Sequence, residues 1–134
     1  MKKIKYLITI IKIFLNTKKI YQTPMNKKII NFDSYTNKQV KKIFNPDDLF
    51  EICCHGERRE FDFIYLSPKI LLLTLVEFFK GNLSCCYYIA LIRAVKPKVI
   101  LTFAPFNFAF IKISKALRKK FNFITVQPSV TLLN

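Results

Sequence analysis

Apolar residues in this chain occur in two alternating patterns. Short, nearly continuous apolar runs appear at Lys28–Phe32, Leu49–Cys54, Lys98–Phe103 and Phe121–Gln127. Continuous rather than alternating apolarity is what a parallel strand buried on both faces requires. Between these runs the spacing becomes helical. Tyr35–Phe44 predicts a modest helix, and Asn45-Pro46-Asp47-Asp48 a turn. Ser67-Pro68 opens the next helix with a capping hydroxyl and a proline at the first helical position, and Gly81 is suited to close it. This helix, "PKILLLTLVEFFK", is apolar almost all round and is expected to be sandwiched between other elements. A further stripe at Cys85, Tyr88, Ile89 and Ile92 stops before Pro97, and another runs through Phe106, Ala109, Phe110, Ile113, Ala116 and Leu117.

Strands that alternate with helices specify an α/β fold with a parallel sheet and right-handed crossovers. The expected architecture is a Rossmann-like or flavodoxin-like half-domain, a roughly four-stranded parallel sheet flanked by helices. The length of 134 residues suits one such domain. An N-terminal segment precedes it. Ile4, Leu7, Ile8, Ile11, Phe14 and Leu15 follow helical spacing, with Lys5 and Lys12 on the opposite side. The division read from this pattern is an amphipathic helix and basic linker over 1–23, then a Rossmann-like α/β domain over 24–134. The stretch "TKKIYQTPMNKK" is read as linker. Residues 1–16 lack a small-residue cleavage site, and no uncharged apolar stretch reaches the ~18 residues of a membrane span. Two readings of the segment stand: a cationic helix lying on an anionic membrane surface, and a helix packed on the domain or on a missing partner.

Composition adds a strong charge. Lys plus Arg number 23 against 8 Asp plus Glu, a net +15. Such a field favours nucleic acid, anionic lipid or phosphorylated ligands. The cations are scattered, and no zinc finger, helix-turn-helix or RNA-binding signature accompanies them, so specific nucleic-acid binding is not expected. The cysteines form two adjacent pairs, Cys53-Cys54 and Cys85-Cys86, without C-x-x-C spacing, and His55 is the only histidine. Buried thiols in a reducing cytoplasm are the expected state, with no metal. Neither a G-x-G-x-x-G fingerprint nor a Walker A motif is present, so no cofactor is expected.

The series "KKIINFD", "CHGE", "ALIRAVKPKVILTF", then Asn107, a Ser-Lys-bearing helix and "NFITVQ" resembles the N-terminal region of bacterial surface carbohydrate biosynthesis proteins. These are similar to GT-B glycosyltransferases, in which two Rossmann-like domains face each other across a cleft. The resemblance covers roughly residues 4–129 and includes a proline before the first strand, Pro24 here. It implies surface polysaccharide biosynthesis, with this chain as the N-terminal, acceptor-side domain of a glycosyltransferase-like protein at the cytoplasmic face of the inner membrane. The implied partner is a lipid-phosphate-linked sugar acceptor. The family pattern at the third strand tip is T-F-x-D-N-N. Thr102, Phe103 and Asn107 match it, while Pro105 and Phe106 replace its Asp and first Asn. The pattern I-Q-N-G after the fourth strand keeps Gln127 but has Pro128-Ser129 for Asn-Gly, and R-G-E after the second strand becomes His55-Gly56-Glu57. Proline also removes a backbone donor. A degenerate or truncated copy is therefore expected, inactive as the isolated chain, because the second GT-B domain carries most of the sugar-nucleotide contacts. Whether the chain is an enzyme stays open. The alternative is a non-catalytic α/β binding or assembly module.

The candidate site residues lie just past strands or at helix starts, where open α/β sheets bind ligands. Asp33 follows the first strand and either orients an acceptor sugar or caps the next helix. Glu57 is a candidate general base and His55 an acid/base candidate, against a surface ion pair and a structural role respectively. Asn107 either caps the helix near Phe106 or donates to a ligand. Gln127 offers a carboxamide at the fourth strand tip. Asp33, His55, Asn107 and Gln127 are expected to gather at the carboxyl edge of the sheet.

Overall fold

The computed structural model describes residues 12, 15–32, 37–52, 63–82, 85–104 and 107–126. In chain order the elements are β1 (Lys18–Ile20), β2 (Ile29–Asn31), α1 (Asn37–Ile43), β3 (Leu49–Glu51), β4 (Phe63–Tyr65), α2 (Pro68–Phe79), α3 (Cys86–Val95), β5 (Val99–Thr102), α4 (Phe108–Leu117) and β6 (Asn122–Thr125). A 3-10 turn, Pro46–Asp48, leads into β3.

The main sheet has four strands in the order β3-β2-β5-β6, all parallel. The four apolar runs of the sequence supply these four strands, in an α/β fold with flanking helices. Alternation along each strand sends side chains to opposite faces. Ile30, Phe32, Phe50, Ile52 and Ile100 meet Ile89, Ile92 and Val95 of α3 and Phe110, Ile113 and Leu117 of α4 on one face. Leu49 and Leu101 meet Val40 of α1 on the other. The continuous apolarity of the strands follows from this two-sided cover.

Two features differ from the sequence reading. The stretch read as a basic linker contains β1, which pairs in parallel with β4 as a second, two-stranded sheet. Three residues with two lysines carry no strand pattern of their own. The pairing is tertiary, and it continues in the Leu66 N–H donating to Ile20 O at 2.8 Å and the Thr23 hydroxyl donating to Ser67 Oγ at 2.9 Å. The chain is tied again downstream, where the Lys27 N–H donates to Val95 O at 3.3 Å.

The second difference is α2. Its caps are as expected: the Ser67 hydroxyl accepts from the Ile70 N–H, and Gly81 takes φ +88 just past the end. The Gly81 N–H donates to Phe78 O and the Asn82 N–H to Glu77 O, a Schellman closure that needs a positive φ at that position. The helix is not sandwiched, however. Ile70 and Leu73 pack on Leu91 and Ala94 of α3. That contact places α2 outside the sheet-covering layer, with its other faces open among the described residues. Its apolar composition suggested two covering neighbours, and the fold provides one.

Candidate functional site

The strand order reverses between β2 and β5. β3 lies on one side of β2 and β5 on the other, and in open α/β sheets the carboxyl ends of the strands at such a reversal are where ligands bind. Both exits are anchored. Phe32, just past β2, donates its N–H to Leu101 O at 2.8 Å. Thr102, fully buried at the end of β5, accepts the Ala104 N–H on its hydroxyl at 3.2 Å, and its carbonyl accepts the Val126 N–H at 2.8 Å. The first of these bonds is a local turn just past β5, and the second continues the pairing of β5 with β6.

Asn107 stands at that exit. Its carboxamide oxygen accepts the N–H groups of Ala109 at 3.1 Å and Phe110 at 3.2 Å, so it is the N-cap of α4. Capping uses the oxygen alone. The Nδ2 group has no partner among the described residues, which leaves two donors on a half-buried side chain just past the carboxyl end of β5. The other four residues singled out from sequence, Asp33, His55, Glu57 and Gln127, lie outside the described residues.

The structure adds a carboxylate that sequence reasoning passed over. Glu51 closes β3 at the same carboxyl edge. Its Oε1 is shut off from solvent and takes no well-formed hydrogen bond. The Lys41 Nζ, 3.2 Å away, balances it as a charge rather than as an aligned donor. The available signal was an acid interrupting the apolar run "LFEICC". The recess beside it, lined by Glu51, Phe63, Tyr65 and Tyr87, offers about 10 Å³, room for one water and not for a sugar.

Tyr87 closes the inner wall of that recess. Its hydroxyl accepts the Tyr65 N–H at 2.8 Å and donates to Tyr65 O at 3.4 Å, clamping β4 to α3. Burial pushes this phenol up from 10.0 to about 12. The bond from the Tyr65 backbone opposes the rise, and the neighbouring Tyr65 phenol adds to it. The folded-state value lies above the unfolded one. The stability contribution is therefore complete below about pH 10 and is lost as pH rises toward about 12. We expect the tyrosinate absorbance of the native chain minus that of Tyr87→Phe to rise in one step near pH 12; a step near pH 10 would contradict the buried clamp.

Among the described residues no group of three or more His, Cys, Asp and Glu converges to hold a metal, and Cys85 and Cys86 are in thiol form. Among the same residues no helix is long and apolar enough to cross a membrane. No family model matches the chain, and no curated protein or solved structure matches it.

Proposed function

We propose that this chain is the N-terminal, acceptor-side domain of a GT-B-like protein of surface polysaccharide biosynthesis. It would hold a lipid-phosphate-linked sugar at the carboxyl edge of its parallel sheet. The observation that carries this reading is the strand-order reversal between β2 and β5, with the Nδ2 donors of Asn107, unengaged among the described residues, beside it. An all-parallel sheet binds ligands at such a reversal, and the sequence resemblance supplies the ligand class. Asp33, Glu57, His55 and Gln127 follow the ends of strands in the sequence and would complete the acceptor site. The +15 charge suits a phosphate-bearing acceptor and an anionic membrane, which residues 1–16 would contact. Catalysis by this chain alone is not part of the proposal.

The test separates the cap from the donor. Serine caps helices about as well as asparagine but has no amide donors. Asn107→Ser is expected to keep the unfolding midpoint and to weaken binding of a polyprenyl-phosphate-linked sugar, presented in micelles, by about tenfold for one lost hydrogen bond. Radiolabelled nucleotide sugars added to the same mixture are expected to give no transfer product. Equal binding by Asn107→Ser would remove the residue from the site. Absence of binding by the native chain would favour the second reading, a non-catalytic α/β binding or assembly module. The exposed apolar face of α2 gives that second reading its own support.

A further inference from the structure

Helix α2 turns its one carboxylate inward and six of its apolar side chains outward. Glu77 is 2% exposed, while Leu71, Leu72, Leu75, Val76, Phe78 and Phe79 are exposed, Leu72 to 63% and Phe79 to 78%. The cause is a set of polar contacts on the inner side. Glu77 meets Arg93 of α3 at 3.0 Å and Lys80 at 3.3 Å, and accepts from Asn82 Nδ2 at 2.8 Å. At about 100° per residue, the six exposed apolar side chains cover a continuous arc of about 160° with no polar residue inside it. Scattered single apolar residues on a surface are ordinary, but a contiguous patch of this kind marks a docking surface.

We propose that this face of α2 seats in the interfacial layer of an anionic lipid bilayer. The inference rests on the reading that the chain works against an anionic membrane, and it assigns the surface that does so. Three observations favour this occupant. On the helical projection the exposed Lys69 falls at one edge of the apolar arc, where its amine reaches headgroup phosphates while the leucines and phenylalanines enter the acyl boundary. The chain carries +15, which attracts an anionic surface and opposes docking of a second copy of itself. The cationic residues 1–16 run into β1, and β1 pairs with β4, the strand that leads into α2. Both membrane-directed segments thus join the same small sheet. The 12 residues of α2 span about 18 Å, too short to cross a bilayer and suited to lying in its plane.

The chain has no tryptophan, so Phe79→Trp places a single reporter on the patch. With phosphatidylglycerol-containing vesicles its emission is expected to shift to the blue and to be quenched by brominated acyl chains. Neutral vesicles should do this less, and salt should weaken the effect. Leu75→Ser/Phe79→Ser, at exposed positions, should retain the native circular dichroism and lower vesicle partitioning about tenfold or more. Charge reversal at Lys5→Glu/Lys12→Glu tests the N-terminal segment separately. If that variant alone loses vesicle binding while the emission of the Phe79→Trp reporter never shifts, the α2 assignment is overturned and the membrane reading stands. If the native chain binds no anionic vesicle, both fall. A concentration-dependent dimer that the double serine variant dissociates, with no quenching by lipid, would make the occupant a second copy and overturn the proposal.

Discussion

Phe32→Ala is expected to lower the unfolding free energy by about 3–5 kcal/mol, the range for deleting a buried phenylalanine. Phe32 is 1% exposed and sits just past β2, with its ring 5.3 Å from that of Tyr88 and 5.6 Å from that of Phe110. It therefore joins the sheet to α3 and α4 at once. The site has little freedom to collapse, because the Phe32 N–H is held by Leu101 O and the sheet continues on both sides of β2. An unrelaxed cavity adds to the lost transfer free energy. Urea unfolding measures the change, with Phe108→Ala as control. Phe108 is 80% exposed, and its removal should stay within about 0.5 kcal/mol. A loss under about 1 kcal/mol for Phe32→Ala would mean that the three elements do not meet on this ring.

Glu77→Ala should cost about 3 kcal/mol, the lower end for breaking a buried ion pair, because Arg93 and Lys80 keep partial access to water. The penalty has two parts. Arg93 loses its counter-charge while its Nε, shielded from solvent and without a hydrogen-bond partner, stays where it is. Asn82 loses the acceptor that ties the Schellman turn to the helix. Replacing both charges together, Glu77→Leu/Arg93→Leu, should recover most of the loss, since well-packed apolar residues often match a buried pair. If the double variant is as unstable as the single, the pair is not what holds α2 to α3. The same pair also sets which side of α2 faces outward, because desolvating a carboxylate without its partner would be costly. That constraint links this stability prediction to the exposed apolar face.

The sequence reading placed the main strands closely. Each of the four apolar runs contains a sheet strand, with ends at most three residues inside the predicted bounds. Ser67, Gly81 and Asn107 act as helix-end residues because capping is a local matter of a few backbone groups. β1 and β4 were not legible. Each has three residues, and neither carries a burial period strong enough to distinguish strand from loop. Of the candidate site, Asn107 was legible as a position but not as a division of labour between its oxygen and its nitrogen. Glu51 was hidden inside an apolar run, and only the register of β3 beside β2 brings it to the carboxyl edge.

What the sequence determined by itself is the class of fold: alternating short buried strands and striped helices, with their caps, because hydrophobic period and capping chemistry act within a few residues. What only the tertiary structure decided is order and orientation. The arrangement β3-β2-β5-β6, which puts the reversal between β2 and β5, depends on which strand ends find each other across long loops. The outward turn of α2 depends on Arg93, sixteen positions from Glu77 and on another helix. An almost uniformly apolar helix has no preferred inner face of its own, so a buried charge pair supplied by its neighbour chose one.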